Sequence, residues 1–124
     1  MHAILFLDDD GDRHLAFSAR VPHAKRVYDA YACIACLKEQ AWEECHLDHD
    51  LTGEAYCDSD REDCGMEVVR WICCNKPDVR TFVVHTHNEI AGPQMVAALE
   101  AAGYRVVRAP FSLVKRFDSE LTIP

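Results

Sequence analysis

No apolar run in this chain of 124 residues approaches the roughly 18 positions that a membrane-spanning helix requires. The N-terminus has neither the basic segment nor the cleavage pattern of a signal peptide, so a cytoplasmic protein with no membrane partner is expected. Basic residues are short as well: 13 Lys and Arg stand against 21 Asp and Glu, a formal net charge of -8. Such a surface repels phosphate backbones, which argues against general nucleic-acid binding and leaves room only for a local basic pocket. An even set of cysteines is missing too. The seven present, two of them adjacent at Cys73 and Cys74, make a poor disulfide framework and fit reduced thiols. There is no internal repeat and no low-complexity tract.

What the chain has is enough apolar residue to fold, 49% by count, in a length that suits one domain, residues 1–124. HAILFLD at 2–8 reads as a buried parallel strand that stops at an acidic cluster. AFSARV at 16–21 reads as a weaker second strand. From 23 to about 40, Val27, Ala30, Tyr31, Ile34 and Leu37 recur at helical spacing. Glu44 to Leu51 is taken as a third strand before a Thr-Gly turn. An acidic, cysteine-bearing stretch at about 54–64 follows as an inserted loop. GMEVVRWICCN at 65–75 is a helix, VRTFVV at 79–84 a fourth strand, Gln94 to Ala102 a helix and YRVV at 104–107 a fifth strand.

Alternating strands and helices imply a parallel sheet between helical layers, a three-layer α/β sandwich. Ligands of such sheets bind beyond the carboxyl ends of the strands. The polar clusters fall there: Asp8-Asp9-Asp10 after strand one, Asp48-His49-Asp50 closing strand three, His85-Thr86-His87-Asn88 after strand four, and Ala109-Pro110-Phe111 after strand five.

An acidic pair after strand one, "LD" at strand three, a threonine after strand four and "PF" after strand five resemble a receiver domain of two-component signalling. That resemblance puts Asp48 at the phospho-accepting position and Asp8 and Asp9 at the metal-binding pair. It implies a flavodoxin-like sheet of order 2-1-3-4-5. A receiver carries lysine before the final Pro-Phe, and here Ala109 stands instead. "LDDD", "LDHDL" and "VHTHN" together are similar to the cyclic-phosphate-processing receiver domains, a divergent family, from which the chain departs at Arg13, two positions later than the family's arginine, and in the 54–64 insertion. Only about seven residues separate the first two strands, fewer than the ten to twelve a crossover usually takes, so the first helix is expected to be shortened or missing.

An oxygen-rich donor set favours Mg²⁺ or Mn²⁺, and nearby imidazole opens the way to Zn²⁺. Asp8, Asp9 and Asp48, with Asp50 as a fourth candidate, form the expected metal set. His49 and His85 are the expected proton-transfer groups, with Asp48 beside them in the catalytic set. Thr86, Asn88 and His87 are the expected substrate-facing residues. The activity this implies is metal-dependent phosphoester hydrolysis of a cyclic phosphate or a related nucleotide-derived substrate. The alternative is a receiver-like binding or regulatory module that has lost phosphorylation. His2, His14, His23 and His46 read as ordinary structural or surface histidines, and the acidic run at 58–63 as a solvated face. Cys33 and Cys36 form a C-x-x-C inside a helical pattern, and a zinc site there would have to recruit Cys57 and Cys64.

Overall fold

Four consecutive buried residues, Ile4–Leu7, form β1, and the chain turns polar at its carboxyl end with Asp8. The structure is a computed structural model and describes residues 2–112. After β1 come α1 (Gly11–Arg20), β2 (Lys25–Val27), α2 (Ala30–Glu39), β3 (Trp42–Leu47), α3 (Gly65–Asn75), β4 (Val79–Val84), α4 (Ala91–Ala101) and β5 (Arg105–Arg108). All strand pairs are parallel and the order is β2-β1-β3-β4-β5, as the resemblance implied.

Side chains alternate across β1, and each face collects its own core. Leu5 and Leu7 join Cys45, Leu47, Phe82 and Val84 in a cluster covered by α2, α3 and α4. Ile4 and Phe6 point the other way, onto Phe17 and Val21 from α1 and its end, with Phe111 closing the group. Burial of aliphatic side chains of this size stabilises the fold by about 1.5–3 kcal/mol each. Among the described residues, no helix is long and apolar enough to cross a membrane.

The first helix is neither shortened nor missing. Residues 16–21, expected as strand two, are the end of α1 and its C-cap, and the real β2 is a short segment further on. Asp10 starts α1 by accepting from the backbone amides of Asp12 and Arg13, at 2.8 and 3.3 Å. Buried His14, Phe17 and Val21 then follow at helical, not alternating, spacing. With β2 moved to Lys25–Val27, the crossover has the length it needs. The helix expected over 23–40 loses its first part to β2 and begins after Asp29, whose side chain accepts from the amide of Ala32 at 2.8 Å. Its inward face is Ala30, Cys33, Cys36 and Leu37, while Tyr31 is exposed. Cys33 and Cys36 thus pack into the core near Cys45 and join no metal-binding cluster among the described residues. Cys73 is half-buried against α4, but Cys74 is exposed rather than packed.

Register positions the chemistry. Leu7 pairs with Leu47, and Leu47 with Val84, so the next residues, Asp8, Asp48 and His85, leave the sheet level with one another. The ladder runs on past the strands through Asp48 N to Leu7 O at 3.2 Å and His85 N to Leu47 O at 2.9 Å. Gly65 opens α3 directly against this end of β3. A Cβ there would collide with the backbone carbonyl of Asp48 and the Cα of His49, so only glycine permits the approach.

Candidate functional site

Asp8 is wholly buried at the end of β1 and both its oxygens are engaged. Oδ1 accepts from the amide of Asp10 at 2.9 Å, and Oδ2 accepts from Arg13 Nε and His85 Nε2, each at 2.8 Å. Burial alone would raise this carboxyl, but the contacts of His85 and Arg13 outweigh it and hold Asp8 well below the usual carboxylate range. His85 is buried in turn, its ring stacked on Phe6 with centroids 4.9 Å apart. Burial pushes its pKa down against the pull of Asp8. An ionised carboxylate can only accept, so the neutral ring keeps its proton on Nε2 and gives it to Asp8. His85 Nδ1 is buried without a hydrogen-bond partner.

Asp48 behaves in the opposite sense. Its Oδ1 accepts from the amide of His49 at 2.8 Å, while Oδ2 is buried with no hydrogen-bond partner, 3.7 Å from Arg13 Nη2. Burial first and the charge of Asp8 second push this carboxyl up to about 7. Ligand atoms of Asp8, Asp48 and His85 lie within 4.8 Å of one another. A buried carboxylate oxygen without a donor is costly when ionised, and a divalent cation beside it would remove that cost. Two carboxylates with an imidazole beside them therefore fit the expected Mg²⁺, Mn²⁺ or Zn²⁺.

Arg13 is the residue the sequence reading undervalued. From the first turn of α1 it bonds Asp8 and reaches Asp9 at 3.8 Å, Asp10 at 3.7 Å and Asp48 at 3.7 Å. Asp10 capping α1 was the available signal, since it turns the third residue of the helix back toward the strand end. Ala109 brings no charge, so the cation in contact with these carboxylates comes from α1 rather than from the end of β5.

Other expected site residues divide. Asp9 is partly exposed, its Oδ2 accepting from the amide of Gly53 at 2.7 Å, and with Asp10, Arg13, Asp48, His85 and Thr86 it lines a cleft of about 390 Å³. Thr86 is buried; its Oγ1 accepts from Asn88 N at 3.2 Å, and its hydroxyl lies beside the Asp48 carboxyl, where it offsets part of the upward push on that group. His87 is exposed, bonds the carbonyl of Phe111 through Nε2 at 2.7 Å, and borders both this cleft and an adjoining one edged by Pro110 and Phe111.

Three of the expected residues turn to other partners. Asn88 does not face the cleft as a phosphate donor: its Oδ1 accepts from the amides of Ile90 and Ala91, at 3.0 and 2.9 Å, and starts α4. Asp50 borders the cleft but stands apart from the Asp8, Asp48 and His85 group, because its Oδ2 accepts from Tyr56 N at 3.0 Å and its Oδ1 from Cys57 N at 3.2 Å. His49 is wholly buried and turned away, with Nδ1 2.8 Å from Asp50 Oδ1 and Nε2 3.0 Å from Ser59 Oγ. These partners, Asp50 and Ser59, draw the ring away from the cleft that Asp48 lines.

A sequence profile described as "Cyclic-phosphate processing Receiver domain" matches residues 3–101. The chain belongs to this family. No curated protein sequence matches it. Among solved structures, a signal receiver domain from Vibrio parahaemolyticus, described as that of a LuxO repressor, is 15% identical with a TM-score of 0.67, over 98% of this chain and 88% of that one. The Mn²⁺-bound form of response regulator Rcp1 is 17% identical with a TM-score of 0.59, over the same shares of 98% and 88%. The receiver domain of NtrX from Brucella abortus is 21% identical with a TM-score of 0.54, over 89% and 88%. At these identities the neighbours establish the receiver fold of this cyclic-phosphate-processing receiver domain and nothing finer.

Proposed function

We propose that this receiver-like domain hydrolyses a cyclic phosphate or a related nucleotide-derived phosphate, using a divalent cation held by Asp8 and Asp48 with His85 beside them. The observation that carries the reading is Asp48 Oδ2, buried without a hydrogen-bond partner at the floor of a cleft that also presents Arg13, His85 and Thr86. An unsatisfied oxygen there asks for a cation, and a guanidinium with a hydroxyl nearby suits a phosphoryl group. A neighbour of the same fold is known in an Mn²⁺-bound form, and the oxygen donors of Asp8 and Asp48 suit a hard cation, so Mn²⁺ and Mg²⁺ stand ahead of Zn²⁺. When bound, such an ion polarises a phosphoryl oxygen and makes a water more acidic.

The chain's own groups do the rest. Arg13 Nη2 neutralises phosphoryl charge, taking the part that lysine plays in ordinary receivers. The Thr86 hydroxyl donates to a phosphoryl oxygen. His85, held by Asp8 through its Nε2–H, takes a proton from the attacking water at its unpartnered Nδ1 and passes it to the alkoxide that leaves when the ring P–O bond breaks, while the oxygen of water takes that alkoxide's place on phosphorus. The product is a phosphomonoester carrying a free alcohol. The adjoining cleft at Pro110 and Phe111 has the breadth, about 530 Å³, for the remainder of a nucleoside-sized substrate. His49 and Asp50 act from behind, positioning the loop that forms one wall.

Purified protein incubated with 2′,3′-cyclic, 3′,5′-cyclic and 1″,2″-cyclic phosphates, each with Mg²⁺, Mn²⁺ or Zn²⁺, tests this by phosphorus NMR. Conversion of one ring phosphate to a monoester that stops on Asp48→Asn supports it. If nothing is consumed with any metal, while the same face captures one defined protein partner, the domain is a binding module.

A further inference from the structure

Asp50 Oδ1 is crowded. Four donors converge on it: His49 Nδ1 at 2.8 Å, Cys57 N at 3.2 Å, Asn88 Nδ2 at 3.3 Å and Cys57 Sγ at 3.4 Å. One carboxylate oxygen has about two lone-pair directions, so these donors cannot all be well served. Two of them, the imidazole nitrogen and the thiol, become donors to a metal once each gives up its proton.

We propose that His49 Nδ1, Asp50 Oδ1 and Cys57 Sγ form a site for a thiophilic divalent cation of the zinc class, separate from the Asp8 and Asp48 centre, that pins the 54–64 loop against the sheet. The three atoms lie within 4.8 Å of one another. Tetrahedral zinc sets its nitrogen, oxygen and sulfur donors roughly 3.3–3.6 Å apart. Sγ stands 3.4 Å from Asp50 Oδ1 and 3.8 Å from His49 Nδ1, close to that geometry. Only the hydrogen-bonded pair of His49 and Asp50, at 2.8 Å, has to open, by about half an ångström.

The surroundings match what a ligated histidine needs. Binding through Nδ1 requires the ring proton on Nε2, and Ser59 Oγ stands 3.0 Å from that atom to receive it. Asn88 Nδ2 steadies the carboxylate from the far side. On binding, the Cys57 thiol loses its proton to solvent and the thiolate takes the metal. The fourth position falls to water: Cys64, although its thiol stands beside the His49 ring, donates to the carbonyls of Arg61 and Ser59, at 3.1 and 3.5 Å, and belongs to no three-residue ligand group. A mixed nitrogen, oxygen and sulfur set selects zinc over Mg²⁺ or Ca²⁺. The first part of the inserted loop is thereby tied, which gives one of the two cysteines of this insertion, Cys57, a use. The set differs from the one anticipated from sequence, because Cys33 and Cys36 belong to the core on α2.

The proposal does not depend on the hydrolase reading, and its test reads a different signal. Reduced, metal-stripped protein is titrated with Co²⁺ while the near-ultraviolet charge-transfer absorption of thiolate bound to cobalt is followed. Wild type should develop the band at one equivalent and lose it on addition of Zn²⁺. Cys57→Ser should abolish the band, and His49→Gln should shift it to at least tenfold higher Co²⁺. Asp48→Asn and Cys74→Ser should leave it unchanged, with circular dichroism reporting the fold of each variant. Absence of the band in wild type at excess Co²⁺, or its persistence at full intensity in folded Cys57→Ser, overturns the assignment. If Cys57→Ser does not fold, an unshifted titration in His49→Gln does so equally.

Discussion

His85 Nε2 and Asp8 Oδ2 meet at 2.8 Å across 77 positions of sequence, both side chains almost wholly buried. Parallel register between β1, β3 and β4 makes the contact, and Arg13 completes it on the same oxygen. Asp8 thereby fixes the ring with Nδ1 as its unpartnered basic nitrogen. His85→Ala should therefore lower turnover of the true substrate by about a hundredfold or more, the scale of a lost general base. Thr86→Ala, which removes one donor among several, should cost less. Steady-state rates on whichever ring phosphate is consumed check the order of the two.

Mn²⁺ affinity separates the carboxylates. Asp48→Asn removes the unsatisfied oxygen and should weaken binding by about tenfold or more, whereas Asp9, already engaged with Gly53, should matter less on Asp9→Asn. Calorimetry with Mn²⁺ measures both. Unchanged affinity in the two variants would contradict the site.

The pH dependence of stability in chelator follows from Asp48. Its folded pKa of about 7 lies above the ordinary 3.8 because of burial and the charge of Asp8. The stability it contributes as a neutral acid is fully present below about pH 4 and is lost as pH rises through about 7. Asp8 has the reverse sign: its value is depressed, so its contribution is present above its ordinary 3.8 and lost in stronger acid. Thermal melts of Asp48→Asn and wild type should lie close together near pH 4 and diverge in favour of the variant toward pH 8. Added Mn²⁺ should raise the wild-type midpoint at the upper end.

Gly65 tests how tightly α3 abuts the site. Gly65→Ala forces a methyl into the Asp48 carbonyl and the His49 Cα, and overpacking of this kind costs about 1–3 kcal/mol. Urea denaturation should show the loss, and Mn²⁺ binding should weaken with it, because Asp48 is displaced.

Asn88 distinguishes a cap from a ligand contact. Removing the acceptor for the amides of Ile90 and Ala91 should cost about 1 kcal/mol of stability on Asn88→Ala. Denaturant midpoints read that effect, and substrate KM should move little.

How much was legible in the sequence depends on how local the cause was. The apolar runs of β1 and β4, each ending at a polar cluster, and the periodic stretch of α3 announce themselves through hydrophobic pattern, and in a parallel sheet that pattern already sends Asp8, Asp48 and His85 to one rim. α1 was misread because its cap, Asp10, resembles a loop acid, and because AFSARV contains short apolar alternations as well as a helical face. Only packing chose between them: Phe17 and Val21 both meet Phe6, which a helix permits.

Direction of side chains belonged wholly to the tertiary structure. The tripeptide Asp48-His49-Asp50 looks like one constellation when written out, yet its members serve two places. Asp48 closes the cleft floor, while His49 and Asp50 hold the 54–64 loop through Ser59, Tyr56 and Cys57. Likewise, Asn88 caps α4 beside a Thr86 that faces the cleft. Sequence pattern determined which strand ends converge, since backbone pairing and burial follow from local hydrophobicity. Which way each polar group turns depends on partners far along the chain, because a buried donor or acceptor goes where its hydrogen bonds can be met, and only the folded chain supplies them.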